Sequence, residues 1–221
     1  MRRVLYLYGG WPGHRPYEIA DWARPLFTGQ GLEVEETQDV FRLDGDLTGY
    51  DLIALNWNNA LTTEGLSAAQ EDGLLTAVER GTGVVAWHGA AAAFRASLRY
   101  HLLLGGSFAE HPAGEGVRYP YTVRITDRDH EITRGVGDFA VASEQYYMLV
   151  DPNNHVLAET EFTGEHLPWL DGHRMPQAWT RRWGAGRVFY SAVGHTVDDL
   201  TGPDVTRLVE QGIAWAARRG A

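Results

Sequence analysis

The stretch Gly83-Val84-Val85-Ala86-Trp87-His88-Gly89-Ala90-Ala91-Ala92-Ala93 constrains the fold of this chain more than any other. The short uncharged run Gly83–Trp87 reads as a strand buried on both faces, as in the middle of a parallel sheet. The small residues after it imply a tight turn leading straight into helix. A strand–turn–helix elbow is where α/β enzymes hold a nucleophile out of the sheet, near the N-terminal amides of the next helix. The residue at this turn is His88, and the chain contains no cysteine. The elbow therefore marks a site while excluding thiolate chemistry at it.

Strand and helix alternate through the first half. Residues 3–8, Leu32–Thr37 and residues 51–56 read as strands before the elbow strand, and residues 17–28 and 68–80 as helices. Ser67 is placed as an N-cap of the second helix and Gly81 as its stop. Helix is expected again from about residue 90 to 104. Such alternation predicts a parallel sheet between two helix layers. The second half differs, with strands expected at residues 116–126, 144–150, 177–183 and 186–192 and at His155–Glu161. Residues 177–183 and 186–192 form a hairpin around Gly184-Ala185. Residues 203–219 close the chain as a helix, burying Val205, Leu208, Val209, Ile213 and Trp215. One domain spanning residues 1–221 is the simplest organisation.

The net charge of −10 argues against nucleic acid and anionic membranes as partners. The apolar start ends at Gly9-Gly10-Trp11-Pro12, too soon for a secretory segment or a membrane span. A soluble, cytoplasmic protein is expected, which the lack of cysteine fits. A homodimer formed through exposed strands of the second half is the expected assembly.

Of the nine histidines, four sit where loops follow sheet strands: His14, His88, His111 and His195. In open parallel sheets the ligand crevice lies outside the carboxyl ends of the strands, so residues remote in sequence converge there. His101, His130, His155, His166 and His173 read as surface or packing groups. Glu144 precedes an aromatic-rich strand and is placed to orient an imidazole or exchange its proton. Asp198 and Asp199 follow His195 closely enough to orient it instead. No compact metal motif such as HExxH is present, so cofactor and metal stay unassigned, and a set assembled from scattered His and Glu stays open. The 8 Trp and 10 Tyr suit ring stacking on sugars, with Trp11, Trp57, Trp87 and Trp179 expected near the crevice, although core filling accounts for most large aromatics.

These motifs together resemble the trehalose-utilisation (ThuA-like) family, with its class I glutamine amidotransferase-like fold. The matching stretches are Gly83 to Ala90, Leu104-Gly105-Gly106-Ser107-Phe108-Ala109-Glu110-His111-Pro112, and Asp127-Arg128-Asp129-His130-Glu131-Ile132-Thr133-Arg134-Gly135. They continue with Glu144-Gln145-Tyr146-Tyr147, Pro176-Gln177-Ala178-Trp179, Gly184-Ala185-Gly186-Arg187-Val188-Phe189-Tyr190 and Gly194-His195. The resemblance implies an α/β three-layer sandwich with a mainly parallel, flavodoxin-like central sheet and a strand-rich C-terminal half. It also implies that His88 stands where amidotransferases carry their cysteine and His195 near their partner histidine. An imidazole does not form a glutaminyl thioester, so amidotransferase activity is not expected.

The expected function is binding or transforming a sugar or keto-sugar derivative in carbohydrate metabolism. His88 and His195 are the general acid/base candidates and Glu144 their orienting group. His14, His111, Trp179 and Tyr146 are expected to line the ligand, a small sugar-like molecule. Two alternatives stand beside it: a non-catalytic sugar-binding or assembly module, and a metal-dependent hydrolase using His and Glu ligands.

Overall fold

The computed structural model describes residues 1–59 and 63–218. Among the described residues, eleven strands and five α-helices follow one another. The strands are β1 (Arg2–Gly10), β2 (Leu32–Thr37), β3 (Leu52–Asn58), β4 (Gly83–Trp87), β5 (Gly106–Glu110), β6 (Tyr119–Ile125), β7 (Phe139–Ser143), β8 (Tyr147–Val150), β9 (His155–Glu161), β10 (Arg174–Trp183) and β11 (Gly186–Ser191). The helices are α1 (Pro16–Gly29), α2 (Ala68–Glu79), α3 (Leu98–Leu104), α4 (Val197–Leu200) and α5 (Pro203–Ala216).

Nine strands form one sheet in the order β2-β1-β3-β4-β11-β10-β9-β6-β7. The five from β2 to β11 run parallel, in the 2-1-3-4-5 order of flavodoxin-like sheets. From β10 onward the pairing turns antiparallel, beginning at the hairpin with β11. Strands β5 and β8 pair as a separate small ribbon.

Alternation along the buried strands separates two cores. Val4, Tyr6 and Tyr8 of β1 face one way with Ile19, Ala23 and Phe27 of α1 and Val205, Leu208 and Ile213 of α5. Leu5 and Leu7 face the other way with Leu74, Leu75 and Val78 of α2 and Leu103 and Leu104 of α3. Each face of a two-sided strand needs a helix layer to exclude water, which produces the three-layer sandwich. Ser67 caps α2 in a reciprocal capping box with Gln70, and Trp215 of α5 is half-buried against the first core.

Three features differ from the pattern read in the sequence. The helix expected over residues 90–104 is broken: residues His88–Ala92 make a buried 3₁₀ turn, and α3 begins only at Leu98. Phe94, at φ 50°, turns the chain between them, and its amide donates to Asn59 Oδ1. Strands β5 and β7 were not legible, and β8 starts at Tyr147, which leaves Glu144 in a loop. The closing helix ends at Ala216, and Arg219 lies outside the described residues. Among the described residues, no helix is long and apolar enough to cross a membrane.

Parallel strands deliver their carboxyl ends to one edge. The segments after β1, β4 and β11 therefore meet above the sheet, beside the point where the strand order reverses at β1.

Candidate functional site

His88 follows β4 directly and adopts a left-handed backbone at φ 42°. A non-glycine residue held there stores about 1–3 kcal/mol of strain, which the surrounding packing must hold in place. Its carbonyl accepts from the Tyr190 hydroxyl at 2.8 Å, and the Tyr146 ring stacks on its imidazole at 4.1 Å. His88 Nδ1 lies 2.9 Å from the carbonyl of Ala192. A carbonyl only accepts, so Nδ1 carries the proton, and Nε2 of the neutral ring is a lone pair facing His195 and Glu144.

His14 enters from the 3₁₀ turn after β1, with Nδ1 at 3.1 Å from the Asn58 side-chain amide at the end of β3. Gly89 makes room for it: a Cβ there would lie 2.6 Å from the His14 ring. His195 arrives from the loop after β11, its Nδ1 at 3.3 Å from His88 Nε2. The His14, His88 and His195 rings surround one point, with centroids 4.9–5.3 Å apart.

Glu144 completes the cluster from the loop between β7 and β8. Its Oε1 accepts the Gly116 amide at 2.7 Å. Its Oε2 lies 2.9 Å from His195 Nδ1 and 3.4 Å from both His88 Nε2 and His111 Nε2. None of these contacts is aligned as a hydrogen bond, which leaves Oε2 buried without an oriented donor. His14, His88, His195 and Glu144 are all buried, and their donor atoms lie within 4.8 Å of one another. His111 sits at the mouth, 21 % exposed at the side chain and packed on Phe108.

Burial disfavours charge on His14 and His88. It lowers His14 to about 2, with help from neighbouring His88 and His195. Burial likewise lowers His88, against the opposing pull of Glu144. Burial pushes the Glu144 carboxyl up, but His111, His195 and His88 outweigh it and hold it below the ordinary carboxylate range. Neutral His14 and His88 thus stand beside an ionised Glu144, protonation states that suit metal ligands.

The expected site residues separate into two groups. His14, His88, His111, His195 and Glu144 converge although they come from five different connecting segments. Trp179 does not join them, which corrects its placement at the crevice. It lies in mid-strand on β10, fully buried, donating its indole N–H to the Leu104 carbonyl at 2.8 Å and packing on Tyr190. Tyr146 is also buried, and its ring face covers His88 rather than a ligand. Trp87 belongs to the first core, and Trp57 is half-buried against the second. Trp11 is the aromatic at the cluster, half-buried and 4.8 Å from the His14 ring.

Asp199, one of the two acids considered as partners of His195, is buried and bonds to neighbouring residues rather than to the imidazole. It accepts from Arg118 at 2.5 Å, from Ser143 Oγ at 2.6 Å and from the Thr196 amide at 3.1 Å. Ser143 precedes Glu144 and Thr196 follows His195, so one carboxylate fixes both loops. Asp198 is exposed near Arg15. The sequence reading missed Asn58, Gly116 and Arg118. Only Asn58, at the carboxyl end of a buried strand, carried a positional signal.

The model of the trehalose utilisation family, ThuA, matches residues 3–216. Among curated proteins, none matches the sequence. Two ThuA-like proteins of known structure share the fold, one from Parabacteroides merdae ATCC 43184 and one from Bacteroides uniformis ATCC 8492. The first has a TM-score of 0.77 at 18% identity, covering 97% of this chain and 89% of that one. The second has a TM-score of 0.74 at 19% identity, covering 97% and 90%. A cold-adapted β-galactosidase from Rahnella sp. R3 contains a similar fold in 31% of its chain, at TM-score 0.61, 15% identity and 98% coverage of this chain. With the family model spanning nearly the whole sequence, the chain belongs to the ThuA (trehalose utilisation) family.

Proposed function

We propose that the crevice above His88 binds a sugar or keto-sugar derivative and that His88, His195 and Glu144 form its reacting centre. The observation that carries this reading is the convergence of His88 Nε2, His195 Nδ1 and Glu144 Oε2 within 3.4 Å of one another, at the carboxyl edge of a parallel sheet. Membership of a trehalose-utilisation family supports a carbohydrate ligand, as does the presence of this fold within a β-galactosidase. Trp11 offers an aromatic face for the apolar C–H surface of a sugar, and His111 is the imidazole open enough to exchange protons with it.

Hydrolysis or isomerisation of a keto-sugar suits this centre, because either needs proton transfer and carbonyl polarisation rather than a thiolate. Glutamine amidotransfer is not proposed, since the elbow carries an imidazole and the chain has no cysteine. A reducing cytoplasm is the proposed compartment.

The test is a binding and turnover screen of trehalose, related disaccharides and their keto derivatives by calorimetry and NMR of the ligand. Conversion by the wild type and its loss in a folded His88→Ala variant are expected. Retained turnover in that variant would sink the catalytic assignment, and a sugar bound but left unchanged would make the protein a binding module.

A further inference from the structure

The structure assigns His14, His88, His195 and Glu144 as the ligands of a divalent metal ion of the imidazole-preferring class, such as Zn²⁺. This deepens the proposed function, because the ion would sit at the reacting centre, yet it stands on geometry independent of any sugar.

The spacing is the first support. Ligands 2.0–2.1 Å from a tetrahedral metal stand about 3.3 Å from one another. The three measured separations are 2.9 Å for His195 Nδ1 to Glu144 Oε2, 3.3 Å for His88 Nε2 to His195 Nδ1, and 3.4 Å for His88 Nε2 to Glu144 Oε2. These three atoms therefore already outline one face of a coordination polyhedron. The pairs involving His14 fall within 4.8 Å, so closing the fourth position takes a small inward movement of one ring.

The second support is the direction of the lone pairs. The Ala192 carbonyl takes the Nδ1 proton of His88, which aims an unprotonated Nε2 at a carboxylate oxygen. Two acceptors facing each other repel unless a cation or a donor hydrogen lies between them. Glu144 Oε2 is a buried acceptor, 3% exposed as a residue, with no aligned donor. The competing explanation is a ring N–H on His195, whose Nδ1 lies 2.9 Å from Glu144 Oε2 and 3.3 Å from His88 Nε2, and metal titration separates the two.

The third support is the outer shell. Metal-bound histidines nearly always donate their other ring N–H to a carbonyl or carboxylate, which fixes tautomer and orientation. Ala192 does this for His88. For His14 the partner is Asn58, whose Oδ1 is buried without a partner while its amide nitrogen faces His14 Nδ1. Amide oxygen and nitrogen are assigned from the hydrogen-bond network. Turning the Asn58 amide over would give Oδ1 the His14 Nδ1 proton and leave His14 Nε2 as a ligand. Three imidazoles and one carboxylate match Zn²⁺, Fe²⁺ or Ni²⁺ better than the oxygen-preferring Mg²⁺ or Ca²⁺.

The experiment uses the full chain, purified without a polyhistidine tag and stripped with chelator. Calorimetric titration with Zn²⁺ alone should show one ion per chain. Asn58→Leu should weaken it by about 10- to 100-fold, and His88→Ala or Glu144→Gln by more, with circular dichroism checking the fold. Co²⁺ bound to the unmutated protein should give ligand-field absorption displaced by Zn²⁺, a readout that needs no variant. Absence of saturable Zn²⁺ binding, or unchanged affinity in folded His88→Ala, overturns the inference. Sugar binding is measured separately on stripped and loaded protein. Zn²⁺ bound without any sugar defeats the ligand reading alone, whereas sugar bound by a protein that takes up no metal defeats the metal inference alone.

Discussion

Replacing Gly89 by alanine adds a single methyl group at the tightest point of the elbow. The Gly89 backbone has no positive φ, so the substitution acts through space and not through backbone strain. An ideal Cβ there would stand 2.6 Å from His14 Cε1 and Nδ1 and 2.7 Å from Asn58 Nδ2, where ordinary contact begins at 3.4 Å. The His14 ring must retreat by roughly the difference, about 0.8 Å. It has little space for this, because it is 6% exposed and wedged between Trp11, His88 and His195. Overpacking of this kind costs about 1–3 kcal/mol. For a domain of this size each kcal/mol lowers Tm by about 2–4 °C, so a fall of about 2–12 °C is expected. Thermal and urea unfolding of Gly89→Ala, His14→Ala and the double variant closes a cycle. Because two of the three close contacts are to the imidazole, the second substitution should rescue the first in part, leaving the Asn58 contact, with a coupling of about 1 kcal/mol or more. Strict additivity, or an unchanged Tm for Gly89→Ala, would refute the packing described for the elbow.

Other perturbations probe separate links. Asp199→Asn should destabilise the protein by about 1–3 kcal/mol in urea unfolding, discounted because Arg118 is partly exposed, and should weaken Zn²⁺ binding by loosening the Glu144 and His195 loops together. Trp179→Phe strands the Leu104 carbonyl and should cost about 1–3 kcal/mol, yet leave ligand and metal binding unchanged; lost binding would return Trp179 to the site. His14 and His88 are lowered on folding, so below pH 6.5 the unfolded chain binds more protons and chelator-treated protein loses stability as pH falls. The slope should be about 1.4 kcal/mol per pH unit for each histidine. Glu144, also lowered, adds to the loss below its ordinary value of 4.5. Urea midpoints that stay flat between pH 7.5 and 5 would contradict neutral burial of both rings.

The elbow was readable because Gly83–Trp87 is uncharged and His88 follows it without a spacer, and both facts are local. Topology then placed His14 and His195 beside it, since loops after parallel strands share one edge. What local reading could not supply was the return path. Phe94 breaks the expected helix with its amide donating to the Asn59 side chain, and nothing in the Ala90–Ala93 run announces that turn. Strand β5, which leads toward His111, contains the glycine, alanine and glutamate that strand propensity disfavours, and its pairing with β8 supplies what its residues lack. Trp179 was misplaced for a related reason. A tryptophan near a site in sequence order is not near it in space when its strand runs antiparallel and the residue lies mid-strand. Asp199 was seen as a candidate partner for His195, but its action through Thr196 and Ser143 depends on long-range pairing.

The central claim is that four residues from separate loops make one metal-binding centre at the elbow. Anomalous diffraction from crystals of the full chain grown with Zn²⁺, recorded on both sides of the zinc absorption edge, tests it most directly. The account predicts one strong peak bounded by His88 Nε2, His195 Nδ1 and Glu144 Oε2, with His14 drawn inward. A well-ordered cluster without that peak, or zinc bound only elsewhere, would contradict it.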